Sequence, residues 1–341
     1  MQNGIDFECK NEKNGLKLEG LMGKQEHKNA AGSHARIVRY GELKPCYDAF
    51  IDTRSPGSDK KENFTIIGPG VSENPSQYVH IAEPHGFNIG GARQPANCVN
   101  SQHSHDTAEV FYIHKGIWAF RTGETGDDAE VILKPGDLIS IPTGVFRGFE
   151  NIGEDIGFLW GVLGDDNPGR VLWAPYVFDM AGEYGLVLME NGNLIDTANG
   201  ETVPEGQNPM PVTSKEQVDA LSIFSHEQLR ACCIASDEDV LGDNREGVVT
   251  RELIGSDAKL SWPHGFEITH MQLTPEANAD QISYPGSEVL FVQSGELTVK
   301  LLEETWCLFP GDTATIPKGS ARQFINKSDK PVEFLRVRGD V

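Results

Sequence analysis

The sequence predicts an all-β protein made of two copies of one unit, joined by a segment with short helices and a hairpin. The prediction rests on three observations: the chain repeats itself at a fixed offset, it is rich in turn formers, and its apolar runs are short. At 341 residues there is room for two domains with proper cores. Its 37 glycines and 19 prolines favour many short strands and turns over long helices.

The repeat can be read directly. Pro84-His85-Gly86-Phe87 recurs as Pro263-His264-Gly265-Phe266, an offset of 179 (84 to 263). At the same offset Glu109-Val110-Phe111-Tyr112-Ile113, closed by Gly116, matches Glu288-Val289-Leu290-Phe291-Val292, closed by Gly295. Further on, Pro135-Gly136-Asp137, Ile141-Pro142, Gly144, Arg147, Phe149 and Asn151 match Pro310-Gly311-Asp312, Ile316-Pro317, Gly319, Arg322, Phe324 and Asn326. Here the offset is 175 (135 to 310), so the second copy has lost four residues between the blocks. Loops absorb such deletions.

Each copy reads as strands. Leu138–Ile141 and Val145–Phe149 flank a Pro-Thr-Gly turn, and Thr313–Ile316 and Ser320–Ile325 flank Pro-Lys-Gly, which is a hairpin signal in both. Between the copies, Pro175–Tyr184 reads as a short helix with proline in its first turn and Gly185 after it. Leu186–Glu190 and Asn193–Thr197 form a hairpin about Asn191-Gly192. Ser214 and Ser225 cap helices over Lys215–Leu221 and His226–Cys232. The expected domains are a flexible arm over 1–35, an N-terminal domain over 36–165, an inter-domain segment over 166–245 and a C-terminal domain over 246–341.

Composition excludes some functions. A net charge of −22 repels phosphate backbones and anionic lipid, so no nucleic-acid or membrane partner is expected. The longest uncharged apolar run, Ile156 to Gly164, falls well short of the roughly twenty residues a membrane helix needs. The N-terminus lacks the apolar stretch of a secretory signal. The six cysteines show no CxxC pair and read as those of a reducing, cytoplasmic protein.

The chemistry centres on His103-Ser104-His105 followed by Glu109. Residues two apart on a strand face the same side, so both imidazoles can converge. Glu109 follows a short polar turn and opens the next strand. Two imidazoles and a carboxylate suit a first-row divalent metal and leave positions open for water, O₂ or substrate.

His-x-His, three residues, Glu109, six residues and Gly116 resembles the first motif of the cupin superfamily. Gly136, five residues, Pro142-Thr143-Gly144, two residues, Arg147 and Asn151 resembles the second. The resemblance spans about 84–164 and 263–338, under half of the chain. It implies two small antiparallel barrels of jelly-roll type, which in this family usually hold Fe, Mn, Ni, Cu or Zn. Many two-copy members are dioxygenases. Two positions depart from the pattern: Asn97 replaces the first motif's glycine, and Arg147 replaces the fourth metal-ligand histidine. Arginine stays protonated and cannot ligate a metal.

Three roles stand open for Arg147: anchor of a substrate carboxylate, partner of Glu109, or a side chain pointing elsewhere. In the second copy Ile282 and Tyr284 occupy the histidine positions while Glu288 and Arg322 persist. The C-terminal barrel is therefore expected to be metal-free, with a Glu–Arg pair that is architectural. His114 is expected to be a surface histidine, with Phe111 and Ile113 facing inward. His85 and His264 read as turn or strand-entry structure, Phe149 as pocket wall, Asn151 as a turn tie, and His226 with Cys232 and Cys233 as helix packing.

The resulting expectation is a metal-dependent oxidoreductase, dioxygenase-like, acting on a small anionic or aromatic compound. His103, His105 and Glu109 would hold Fe(II) as the first choice, with Mn, Ni or Zn as alternatives, and Arg147 would fix the substrate's acid group. A metal-assisted isomerase or lyase could use the same residues. A non-catalytic binding or sensing protein is the reading from a different class. A homodimer is expected from the exposed strands and the long arm.

Overall fold

A computed structural model describes residues 33–240 and 242–339. Most of the arm expected over 1–35 lies outside the described residues. The chain forms two β-barrels, each of two facing sheets, antiparallel except for the edge strand Val79–Ile81, which runs parallel to Glu62–Ile67. In the N-terminal barrel the large sheet runs Cys233–Ile234, Leu138–Ile141, Glu109–Lys115, Gly157–Gly164, Phe87–Gln94, Glu62–Ile67, Val79–Ile81. The facing sheet runs Val171–Trp173, Val99–His105, Arg147–Asn151, Trp118–Thr122, Ala129–Leu133. The C-terminal barrel repeats the large sheet, from Ile37–Val38 through Thr313–Ile316, Glu288–Ser294, Val332–Gly339 and Phe266–Leu273 to Val248–Ile254 and Gly242–Arg245. Its facing sheet keeps only Thr305–Leu308, Leu297–Leu301 and Arg322–Ile325.

The two expected hairpins are not hairpins. Leu138–Ile141 pairs with Glu109–Lys115, whereas Arg147–Asn151 pairs with Trp118–Thr122 and Val99–His105 in the other sheet. The Pro-Thr-Gly turn therefore carries the chain from one sheet to the other, and the Pro-Lys-Gly turn does the same. A turn signal reports reversal of the chain, not which strand will pair with which.

The large sheets are apolar on both faces. Phe111, Ile113, Ile139 and Leu159 fill the barrel interior, while Val110, Tyr112, Leu138, Phe158, Trp160 and Val162 point outward and are equally buried. The outward set packs against Phe266, Ile268, Val289, Phe291, Leu335 and Val337 of the other barrel in one shared core. Hence the uncharged Ile156–Gly164 run is a central strand covered on both sides. His114 follows the same parity: it faces outward as expected, but it is buried at 3% exposure, and its Nδ1 lies 2.7 Å from Gln293 Oε1 of the other barrel. It is an interface residue and not a surface one.

Each repeat also lends its first strand to the other barrel. Ile37 pairs with Ala314, and Cys233 pairs with Ile139, the equivalent residue. These short strands cover sheet edges that would otherwise be open. His85 and His264 add a reciprocal clasp: His85 Nε2 meets Thr315 Oγ1 at 2.6 Å, and His264 Nε2 meets Ser140 Oγ at 2.7 Å.

The helices and hairpin expected between the barrels form, with small end shifts, while Val171–Trp173, Cys233–Ile234 and Gly242–Arg245 of the same stretch join the barrel sheets. A helix spans Pro175–Glu183, Leu186–Leu188 pairs with Leu194–Asp196, and capping boxes at Ser214 and Ser225 start Lys215–Asp219 and His226–Ala231. Asn151 ties its turn through Gln94 O and Asp155 O at 2.9 and 2.8 Å. Among the described residues no helix is long and apolar enough to cross a membrane. Among the described residues Cys46, Cys98, Cys232 and Cys233 are free thiols.

Trp160 is the hub of the shared core. It stacks on Phe291 with centroids 4.8 Å apart, and its Nε1 donates to Thr313 Oγ1 at 3.1 Å. Trp160→Ala should cost about 3–5 kcal/mol of stability and Trp160→Phe much less, read from urea unfolding followed by circular dichroism. Equal midpoints for the two variants would contradict this.

Candidate metal centre

The Val99–His105 strand lies in one sheet and Glu109 opens a strand of the other, so the donors meet in the barrel interior. His103 and His105, two apart, face the same side. Arg147 is in register with His103 on the neighbouring strand. Glu109 Oε2 lies 4.0 Å from His103 Nε2 and 3.5 Å from His105 Nε2, and the three donor atoms fall within 4.8 Å of one another. An ion with bonds of ~2.1 Å holds its donors roughly 3.0–3.4 Å apart, so the carboxylate contacts are within about an ångström of ligating geometry.

The protonation states suit ligation. Burial, reinforced by the Arg147 charge, holds His103 down at about 3, and the same causes hold His105 well below the imidazole range. Both rings are therefore neutral at pH 7. His103 Nδ1 donates to Ser101 O at 2.7 Å, which leaves the Nε2 lone pair facing Glu109. Orientation of His105 comes from packing edge-on to His103, with ring centroids 4.9 Å apart. Burial raises the Glu109 carboxyl, against the opposing pull of Arg147.

Arg147 is fully buried and turned toward Glu109. Its Nε donates to Glu109 Oε2 at 3.2 Å, and its Nη1 donates to Val145 O at 3.2 Å and Ser104 Oγ at 3.4 Å. It sits behind Glu109; the cavity beside the cluster is walled by other residues. That cavity holds about 90 Å³, room for several waters or a compact ligand. Phe50, Phe111, Phe149, Leu163, Val171 and Trp173 form apolar walls, and Asn63, Thr65, Gln77, Asn88 and Asn100 supply polar atoms. Asn63 Nδ2 is buried with no partner among the described residues.

The space has a sequence cause. Gly90 and Gly161 face each other across neighbouring strands. A Cβ at Gly90 would come no nearer than 3.4 Å to another atom, and one at Gly161 no nearer than 3.5 Å. The equivalent pair in the C-terminal barrel is Thr269 and Arg336. Glycine inside a strand signals close approach or space, and the sequence carries that signal at Gly90 and Gly161.

A supporting layer was also not foreseen. Trp173, from the inter-domain segment, packs 5.3 Å from His103, and its Nε1 donates to Glu73 Oε1 at 2.6 Å. Ile51 N donates to Glu73 Oε2 at 2.6 Å. Behind His103, Asp52 pairs with Lys61, both fully buried, and accepts from Ser101 N at 3.0 Å. Burial alone would raise Asp52, but Lys61 keeps it below the usual carboxylate range.

In the C-terminal barrel the segment equivalent to the histidine strand makes only isolated bridges, Asn278 to Ile325 and Ile282 to Arg322. Arg322 grips Glu288 with two nitrogens, Nε at 2.7 Å and Nη2. Among the described residues, the His103, His105 and Glu109 set is the one group able to hold a metal.

Two barrels, repeated motifs and an interior donor set define a class of protein. A cupin domain model matches residues 92–162 and again 269–338, so each of the two barrels carries a cupin domain. Solved structures superpose on both barrels together. An oxalate decarboxylase studied for its substrate binding mode and a reaction specificity switch is 13% identical, covers 89% of this chain and 77% of its own, and gives a TM-score of 0.56. Bacillus subtilis oxalate decarboxylase, studied for its Mn(II) centres, is 14% identical with the same coverage and a TM-score of 0.55. A deletion variant of the Bacillus subtilis enzyme covers 93% of this chain and 80% of its own at 14% identity and a TM-score of 0.55. At these identities the likeness establishes the fold. No curated protein matches the sequence.

Two predictions follow from the cavity and its supports. Gly161→Leu should fill space and leave stability unchanged or raised by about 0.5–2 kcal/mol in urea unfolding; a loss of several kcal/mol would show that the barrel is already full there. Burial pushes Glu73 up to about 8 from its ordinary 4.5, against the hydrogen bonds from Trp173 and Ile51. A raised carboxyl binds protons more tightly when folded, so its stabilisation is full below about 4.5 and is lost as pH rises through about 8. The fall in melting temperature between pH 5 and 8 should flatten in Glu73→Gln; an unchanged slope would refute the assignment.

Proposed function

We propose that the chain is a metal-dependent cupin enzyme that acts on a small anionic compound at the N-terminal barrel. The observation that carries the reading is the convergence of His103 Nε2, His105 Nε2 and Glu109 Oε2 on the wall of the Gly90–Gly161 cavity. The donor set, two neutral nitrogens and one carboxylate, suits Mn(II), Fe(II), Ni(II) or Zn(II). Fe(II) has no observation in its favour over Mn(II), the ion named for the Bacillus subtilis oxalate decarboxylase structure. When bound, the ion supplies Lewis acidity and a template for substrate.

The chain's own residues account for the rest of the site. His103 is presented through Ser101 O, and its ring is braced by Trp173. Glu109 is held by Arg147, which makes Arg147 a positioning residue in this reading instead of the substrate anchor first expected. The Glu109 and Arg147 charges cancel, so a divalent ion leaves two positive charges in a buried site. An anionic ligand offsets them, and the aromatic walls exclude water around it.

Metal analysis of protein purified under reducing conditions should give close to one ion per chain, falling to near zero in a His103→Ala, His105→Ala double variant. An ion content unchanged in that variant, or no metal together with no thermal stabilisation by any of the four ions, would sink the proposal. Two reaction types share these residues. A dioxygenase consumes O₂ with its substrate, whereas a lyase of the oxalate decarboxylase kind releases CO₂, so an oxygen electrode and CO₂ detection on candidate carboxylates distinguish them. Arg147→Met leaves Glu109 buried and unpaired, and should cost about 3–5 kcal/mol without metal. Part of that loss should return on adding Mn(II), because the ion then takes over as partner of Glu109. No recovery would mean Arg147 does not hold a metal ligand.

A further inference from the structure

The C-terminal barrel differs from its partner at the interior positions that matter most for charge. Where the first barrel has His103, His105, Gly161 and Leu163, the second has Ile282, Tyr284, Arg336 and Arg338. Two imidazoles are gone and two guanidiniums have entered, beside the Arg322 and Glu288 that the barrels share. Register fixes the placement: Arg336 faces Thr269 and Arg338 faces Glu267 across neighbouring strands, just as Gly161 faces Gly90.

Three guanidiniums now surround one buried carboxylate. Glu288 accepts from Arg322 Nε and from Arg338 Nε, both at 2.7 Å, and from Arg322 Nη2. Its acceptors are thus largely used, yet donors remain. Arg322 Nη1 and Arg336 Nε are buried with no partner among the described residues, and Arg336 Nη2 reaches Thr269 Oγ1 at a long 3.4 Å. Among the described residues, even with exposed Glu267 counted at the rim, three positive charges face two negative ones. Burial, with Arg338 and Arg322 close by, pushes Arg336 down to about 10. Water could satisfy the free N–H groups, but only an anion could also offset the charge.

We propose that the C-terminal barrel binds a small oxyanion, carboxylate or inorganic, between Arg322, Arg336 and Arg338. The planar fork of a guanidinium matches two oxygens of such a group. Arg338 has a side chain 20% exposed and packed 4.5 Å from the Tyr284 ring, so it is open to solvent. The second barrel is then a receptor site built on a barrel without metal ligands, separate from the N-terminal centre.

The test is thermal unfolding of the full chain at constant ionic strength, with malonate or phosphate replacing chloride. Either anion should raise the melting temperature by a few degrees and saturate; which one does so separates an organic from an inorganic ligand. The rise should persist in His103→Ala, His105→Ala. It should require at least tenfold more anion in Arg336→Gln or Arg338→Gln, and be partly restored by Arg336→Lys. No rise with either anion, or a rise unaffected by both Gln variants, overturns the proposal. Crystals of the unaltered chain soaked in selenate give a readout that does not depend on variants folding. An anomalous peak within hydrogen-bond reach of the Arg336 guanidinium is expected, and its absence at saturating selenate overturns the proposal whatever the melting curves show.

Discussion

A β-sheet that is apolar on both faces cannot stand at a protein surface, and this constraint organises the whole molecule. Val110, Tyr112, Phe158, Trp160 and Val162 point away from the barrel whose interior their neighbours fill. They must be covered, and the second repeat presents an equivalent surface through Val289, Phe291, Leu335 and Val337. Packing the two outer faces together buries both at once. The exchanged strands Ile37–Val38 and Cys233–Ile234 then close the edges that such a pairing leaves, and the His85 and His264 contacts sit at related points across the join. Neither barrel can be removed without exposing the other's central sheet to water.

Within that shared frame the two interiors have diverged by a handful of residues. A buried glutamate is common to both, and a buried carboxylate must find positive charge or be protonated. Each barrel answers with an arginine on the facing sheet. In the first, Arg147 touches Glu109 through one nitrogen, and the same oxygen also faces two imidazoles. In the second, Arg322 takes hold of both oxygens of Glu288 and Arg338 adds another hydrogen bond. The looser pairing and the glycines of the first barrel leave both a donor set and space. The second carries guanidiniums, Arg336 and Arg338, at the positions of Gly161 and Leu163.

The parts of this that could be read from sequence are those carried by local pattern. The repeat gave two barrels because identical motifs imply identical local structure, and strand parity put His103, His105 and Glu109 inside. Helix capping at Ser214 and Ser225 was legible for the same reason, since capping depends on neighbours three residues away. What failed was non-local. The Pro-Thr-Gly turn looked like a hairpin because reversal is local while partner choice is not. His114 was placed on the correct side of its strand, but nothing local says that a second barrel covers that side. Arg147 was recognised as a non-ligand, yet its seat behind Glu109 depends on Val145 O and Ser104, which only the assembled barrel brings together.

The support of the candidate centre shows the same division most sharply. His103 is oriented by Ser101, two residues away on its own strand, a contact any reading of the strand could reach. Its ring is also braced by Trp173, which is held by Glu73, which in turn is pinned by the backbone of Ile51. None of these three residues lies in a repeated motif or in a segment resembling the family. The chain between the barrels and the loop before the first repeat thus belong to the site. Residues that merely connect or precede the repeated units would have no cause to bury an acid, a lysine–aspartate pair and a tryptophan around one histidine. Burying such groups is costly unless each is partnered, and here Glu73 and the Asp52–Lys61 pair all are. The first barrel is therefore specialised from outside its own repeat, which is why a comparison of the two repeats alone finds the ligands but not the structure that holds them.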